Sequence, residues 1–369
     1  MTNRTFYTIV GCLAGVTVLS VVFVLGIILR SSSVSPDEKV RTSPVSETKS
    51  SAPVERSVVY SFFNQLDGRA VSSTENVVPL VVGFMIDNHP DARPQAGLSQ
   101  ARVVYEMPVE GAFTRYLALF DSADSVSRVG PVRSARPYFI DAIREYGWPW
   151  YFHSGGSPEA LTLLKSGVVQ DGNEFSLGKY FIRDSTKDAP HNLFSSSTAW
   201  NDLIRSISAV DKRSWQGWRF ARYANDQEFQ ELVPFAGVSS TEKNATITVR
   251  YAANYIPTWN YDGAQKKYIR LLKNSPVNDE AGVPVMADTV IVQQAVVKSI
   301  DTEDRKSIAL VGSGKGFVAS RGLLVKATWK KTSPTDRTRW YDEKDQELVL
   351  VPGTVWVEVV PLTASIGLQ

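Results

Sequence analysis

The chain has 369 residues, 43% of them hydrophobic, enough to bury one large core or two ordinary ones. It carries 40 basic and 38 acidic residues, which excludes a global field for nucleic acid, and no long basic run supplies a local one. Cys12 is the only cysteine, so the rest of the chain has neither a disulfide nor a thiol.

Phe6 to Leu29 is a run of 24 residues without a charge. As a helix it spans roughly 36 Å, more than the roughly 30 Å hydrocarbon core of a bilayer. It is too long for a removable signal peptide and lacks a good cleavage site, so residues 1–30 are predicted to be a signal-anchor, held in the cytoplasmic membrane through residues 6–29. Ile9-Val10-Gly11-Cys12 resembles a lipoprotein cleavage box, but few apolar residues precede Cys12 and many follow it, which argues against lipidation. Flanking cations do not decide orientation. Residues 31–57 are rich in Ser, Pro and Thr with mixed charge, a composition that cannot bury a core, and read as a disordered tether outside the cell.

The soluble part is expected to be α+β. Residues 58–210 form an α/β first domain and residues 243–369 a β-rich second one, joined by a connecting segment, 211–242. "VPLVVGFMI" is a strand ending at Asp87-Asn88. "ARVVYEMPVE" and "AFTRYLALF" form a hairpin turning at Glu110-Gly111. "PYFIDAIREY" is a helix, "WPWYFH" a strand, "SPEALTLLKSG" a helix closed by Gly167 and "STAWNDLIRSISA" a helix. From Thr246 onward the runs are strands and turns, including a hairpin at Asp262-Gly263, with no convincing helix.

One stretch breaks the near-neutral charge pattern. "RVGPVRSARPYF" puts Arg128, Arg133 and Arg136 into nine residues without an acid. Ser134 is the expected N-cap of the following helix, with Pro137 in its first turn, which places Arg133 and Arg136 where a helix start favours an anion. That anion is either a ligand or one of the protein's own carboxylates. Alternation puts Glu106 and Glu110 on one strand face, so they are the internal candidates. Arg115 shares its face with Leu117 and Leu119 and needs a carboxylate partner. The two glutamates do not suit a glycosidase: four strand residues separate their α-carbons by roughly 13 Å.

"WYFHSGGSPEA" predicts a strand ending at His153, a glycine turn, and Ser157 as N-cap. The three histidines, His89, His153 and His191, stand 64 and 38 residues apart, which matches no local metal motif. No metal site and no cofactor is therefore predicted. No nucleophile elbow is present, and no catalytic residue is assigned.

In that order, "GFMIDNHPDARPQAGLSQARVVYEMPVEGAFTRYLALF", "RVGPVRSARPYF", "HSGGSPEA" and "APHNLF" resemble the YerB family of bacterial envelope proteins, a family of unknown function. "WNYDGAQKKYIR", "ADTVIVQQ", "GKGFVASRG" and "LVPGTVWVEVVP" extend the resemblance to Pro361. It implies an exported, membrane-tethered protein of two domains, and no reaction. Asp87, Asn88, Arg93, Gln95, Glu106, Glu110, Arg115, Arg133, Ser134, Arg136, His153, Ser157, His191 and Asn192 stand on its motifs and form the candidate ligand site. The expectation is a binding or regulatory module whose Arg-rich pocket takes an anionic cell-wall component or an envelope protein. The alternatives are an enzyme of phosphorylated envelope polymers or lipid carriers, and a purely structural linker.

Overall fold

Val81–Asp87 (β1) is buried along its whole length, as an unbroken apolar run is when a strand is covered on both faces. The computed structural model describes residues 62–207, 214–222 and 246–369, all within the unit Ser57–Gln369. The apolar run 6–29 and the tether 31–57 lie outside the described residues, among which no helix is long and apolar enough to cross a membrane.

The first segment continues with Val103–Pro108 (β2), Thr114–Asp121 (β3), Trp150–His153 (β4) and Gln170–Asn173 (β5). Its α-helices are Pro137–Ile143 (α1), Pro158–Lys165 (α2), Glu174–Leu177 (α3) and Ser197–Ser206 (α4). The second segment supplies Ile247–Val249 (β6), Pro257–Asp262 (β7), Lys267–Leu272 (β8), Thr289–Ala295 (β9), Gly312–Ser320 (β10), Leu323–Lys331 (β11), Arg339–Tyr341 (β12), Val355–Pro361 (β13) and Ile366–Leu368 (β14). The helical texture of the first segment and the strand texture of the second are thus both present.

The two segments do not form separate sheets. One ten-stranded sheet runs β12-β11-β10-β9-β13-β2-β3-β1-β4-β5. The join is a parallel pair, β13 against β2, in register from Val355↔Val103 to Glu358↔Glu106. Helix α1 and Trp218 lie in the apolar cluster on one face, to which β11 and β12 contribute Trp329 and Trp340. The other face is covered by Trp200 of α4 and by Trp259 and Tyr268 of a second sheet in which β8, β7, β6 and β14 lie in that order. Gly83 of β1 lies under α1, where a Cβ would sit 2.4 Å from Ile143 Cδ1, so a larger residue would make that side chain shift.

Candidate functional site

Strands β1, β4 and β5 are parallel, and β2 points the same way because both it and β1 run antiparallel to β3. Their carboxyl ends therefore open on one edge, where ligands bind in open α/β sheets. The arginine-rich stretch crosses that edge as backbone: Arg133 N–H donates to Met85 O (2.9 Å) and Ala135 N–H to Gly155 O (2.9 Å), while Arg133 O accepts from Ser154 N–H (3.0 Å).

Three guanidiniums and two carboxylates meet there. Arg136 is held by Glu110 through Nε–Oε1 (2.5 Å) and Nη2–Oε2 (2.8 Å), and its Nη1 donates to Ala135 O. Burial raises the Glu110 carboxyl, but the hydrogen bonds and charge of Arg136 outweigh it, so the group stays below the ordinary range. Arg133 Nε lies 2.9 Å from Asp87 Oδ2 but off the hydrogen-bond axis, so this contact is an ion pair only. Its outer nitrogens make no hydrogen bond among the described residues. Arg115 donates to Ser134 O (2.9 Å), and its carboxylate contact is a distant one, 3.9 Å to Glu110. Burial, with Arg136 and Arg133 close by, lowers the Arg115 pKa to about 10. The cluster holds one positive charge more than its carboxylates neutralise.

Two expectations need correction. Ser134 is not the N-cap: Arg136 is, and α1 is only seven residues long, so its start provides no anion site. Glu106 does not face the arginines. Tyr116 is its partner across the strand pair and Arg115 is opposite Met107, which puts Glu106 on the other face of the sheet. The strand ends at Pro108, and the turn that follows frees Glu110 from the alternation.

The remaining candidates divide. His191 Nδ1 lies 2.6 Å from Asp87 Oδ2, and His89 stacks on His191 with ring centroids 4.8 Å apart. His153 is fully buried and both ring nitrogens are engaged, with Gly155 O and Asp171 Oδ1. Ser157 caps α2 through Ala160 N–H, as expected. Asn192 accepts from Arg183, away from the arginine cluster. Asn88, Arg93 and Gln95 bind one another: Arg93 Nε and Gln95 Nε2 both donate to Asn88 Oδ1.

On the opposite face Glu106 belongs to a buried triad that pattern reading missed. Arg270 bridges Glu106 and Glu358, with Nη1 2.6 Å from Glu358 Oε1 and Nη2 bonded to Glu106 Oε2. Thr114 (2.6 Å) and Tyr255 (2.7 Å) donate to Glu106, and Trp259 and Tyr251 (both 2.8 Å) to Glu358. A cavity of about 270 Å³ reaches Arg270 and Tyr255 from between Arg93 and Pro276. The legible signal was a lone charge in each of two apolar strands, "YIRLL" and "WVEVV". A larger cavity, about 1070 Å³, is lined by Arg144, Trp148, Trp215 and Arg337, none of them in the arginine cluster.

Burial pushes the Glu106 carboxyl up to about 7; Arg270 pulls it down and Glu358 pushes it further up. The folded state therefore binds this proton more tightly than the unfolded chain, and the associated stability is lost as pH rises from about 4.5 through about 7. Wild type minus Glu106→Gln is the measurement: melting temperatures at pH 5 and pH 8 should show wild type losing more than the variant. An equal change in both proteins would refute the raised value.

Residues 66–212 match the family model described as "Protein of unknown function (DUF3048) N-terminal domain", and residues 247–357 match the corresponding C-terminal domain. A protein of Bacillus subtilis (strain 168) named "Putative lipoprotein YerB" is 31% identical over 290 residues, 76% of this chain and 81% of that one. A crystal structure of the YerB protein from Bacillus subtilis superposes with a TM-score of 0.71 at 28% identity, covering 83% of this chain and 99% of that chain.

Proposed function

The chain belongs to the YerB family, whose two domains are of unknown function, and from that premise we propose that it is a membrane-tethered, extracytoplasmic protein of the bacterial cell envelope that binds an anionic envelope component at Arg115, Arg133 and Arg136. The name of the relative and the apolar run Phe6 to Leu29 support the tethering. In this reading the apolar run 6–29 is the anchor, and the bulk of the chain lies outside. The observation that carries the binding reading is the unmatched charge of the cluster. Arg115 is buried without a carboxylate at hydrogen-bond distance, and Arg133 keeps its outer nitrogens for a further acceptor. A phosphate or carboxylate group docked there gains charge-assisted hydrogen bonds that the protein's own acids leave unmade.

Calorimetric titration of the full-length protein with inorganic phosphate and with a phosphodiester polymer tests this. Arg133→Ala should weaken binding by about 10- to 100-fold, the range for one charge-assisted contact, without changing the melting temperature by more than a few degrees. Affinity unchanged in the variant would remove the cluster as the site.

A second reading, an enzyme of phosphate-linked envelope polymers, is favoured by one contact. Asp87 orients His191 through Nδ1, which leaves Nε2 as the nitrogen available to a proton or a metal, beside guanidiniums that suit a phosphate. Turnover of an aryl phosphodiester that His191→Asn abolishes would support it; a rate the variant shares would not.

A further inference from the structure

We propose that His89, Asp91 and His191 form a site for a divalent transition-metal cation with mixed nitrogen and oxygen coordination, of which Zn²⁺ is the type. One ligand atom from each lies within 4.8 Å of those from the other two. His89 Nδ1, which here accepts the Asp91 backbone N–H at 3.3 Å, a bond an ion would replace, is 3.4 Å from Asp91 Oδ2, close to the roughly 3.4 Å that two donors about 2.1 Å from one tetrahedral ion require. Closing the remaining distance needs side-chain rotation only, since the His89 and Asp91 side chains are 33% and 73% exposed.

Asp87 provides the support such a site needs. Its Oδ2 holds the Nδ1 of His191 at 2.6 Å, and its Oδ1 accepts the backbone N–H of His89 at 3.0 Å. One buried carboxylate thus anchors the His191 ring and the His89 backbone, and as the acceptor of the Nδ1–H it leaves the His191 lone pair on Nε2. A carboxylate on the far nitrogen is the usual outer support of a metal-bound imidazole.

The inventory of donors narrows the location. The chain has three histidines, and its single cysteine is Cys12. His153 is fully buried with both ring nitrogens occupied. An ion bound through imidazole among the described residues is therefore left with His89 and His191 as donors. Two imidazoles and one carboxylate leave at least one coordination position open, the arrangement of sites that bind water or an anion and not of closed structural zinc. Arg133 pairs with the same Asp87 oxygen that holds His191. The cation site has its own ligands, none of them an arginine, but it shares Asp87 with the arginine cluster.

The test is calorimetry of the full-length protein stripped with chelator and titrated with Zn²⁺ in phosphate-free buffer, repeated with Co²⁺ for its visible absorption. One ion per chain is expected. His89→Ala, at a half-buried position, and His191→Ala should each weaken binding by at least about tenfold, and Asp87→Asn by about 10- to 100-fold through the outer support. Circular dichroism of each variant establishes that it is folded. No binding by wild type at about 100 µM Zn²⁺, or binding that folded His89→Ala retains in full, overturns the site. Phosphate titrated in the presence of EDTA reports the arginine cluster separately, so failure of one site leaves the other measurable.

Discussion

Replacing Arg270 by methionine should destabilise the protein by about 3–5 kcal/mol, the cost of stranding buried charge. Arg270 is 1% exposed, while Glu106 and Glu358 are fully buried. Among the described residues it is also the only cation in ion-pair contact with either glutamate, and it packs against the rings of Trp356 (4.6 Å) and Trp259 (5.1 Å). Methionine fills part of the space but leaves two carboxylates on neighbouring strands facing each other. Urea denaturation with equal slopes measures the loss. Replacing Glu106, Glu358 and Arg270 together by apolar residues should recover most of it, because no charge is then left unpaired. A single variant within about 1 kcal/mol of wild type would mean that the triad does not fasten the second sheet to the first.

Glu145→Ala should cost a comparable amount, about 3–5 kcal/mol, on the opposite face of the sheet. Glu145 is 3% exposed and accepts from Lys331 Nζ (2.7 Å), Arg337 Nη1 (3.2 Å), Thr338 Oγ1 (2.6 Å) and Thr338 N–H (3.2 Å). Lys331 and Arg337 are themselves buried, so alanine strands two cations and not one. Arg337 keeps its ring partners, Trp218 at 3.6 Å and Tyr146 at 4.2 Å, but its Nε and Nη2 already make no hydrogen bond. Glu75→Ala, at an exposed position, is the control and should stay within about 0.5 kcal/mol. If the two variants denature together, the Glu145 network contributes nothing.

Both ties join the first segment to the second. Glu106 and Glu145 come from the helix-containing segment; Arg270, Glu358, Lys331 and Arg337 come from the strand-rich one. Together with the β2–β13 pair they couple the two segments that family models match separately. Arg128 adds a third link near the surface, ion-paired with Glu280 at 2.9 Å.

Much of this was legible beforehand. Alternation in "AFTRYLALF" placed Arg115 on the face of Leu117 and Leu119, and all three do share it. Proline after serine marked the start of α2, and the hairpin turns at Gly111 and Asp262-Gly263 fall where turn chemistry put them. The histidine spacing matches no local metal motif, and such a motif is found only when ligands lie on one element. His89 and His191 come from loops about a hundred residues apart that meet only at the end of β1.

The sequence by itself determined the family, the helix-then-strand order of the two segments, and the stretch in which the arginines gather. Local pattern fixes these: periodicity, turn residues and composition act over a few residues. The tertiary structure alone decided which acid meets which base. Glu106 and Glu110 are four residues apart, yet one is sealed under the second sheet with Arg270 and the other holds Arg136 at the strand ends. The physical reason is that a strand residue's partner depends on which strand becomes its neighbour and which face it takes. Both are set by pairings between distant segments, here β2 with β13, that no local pattern encodes.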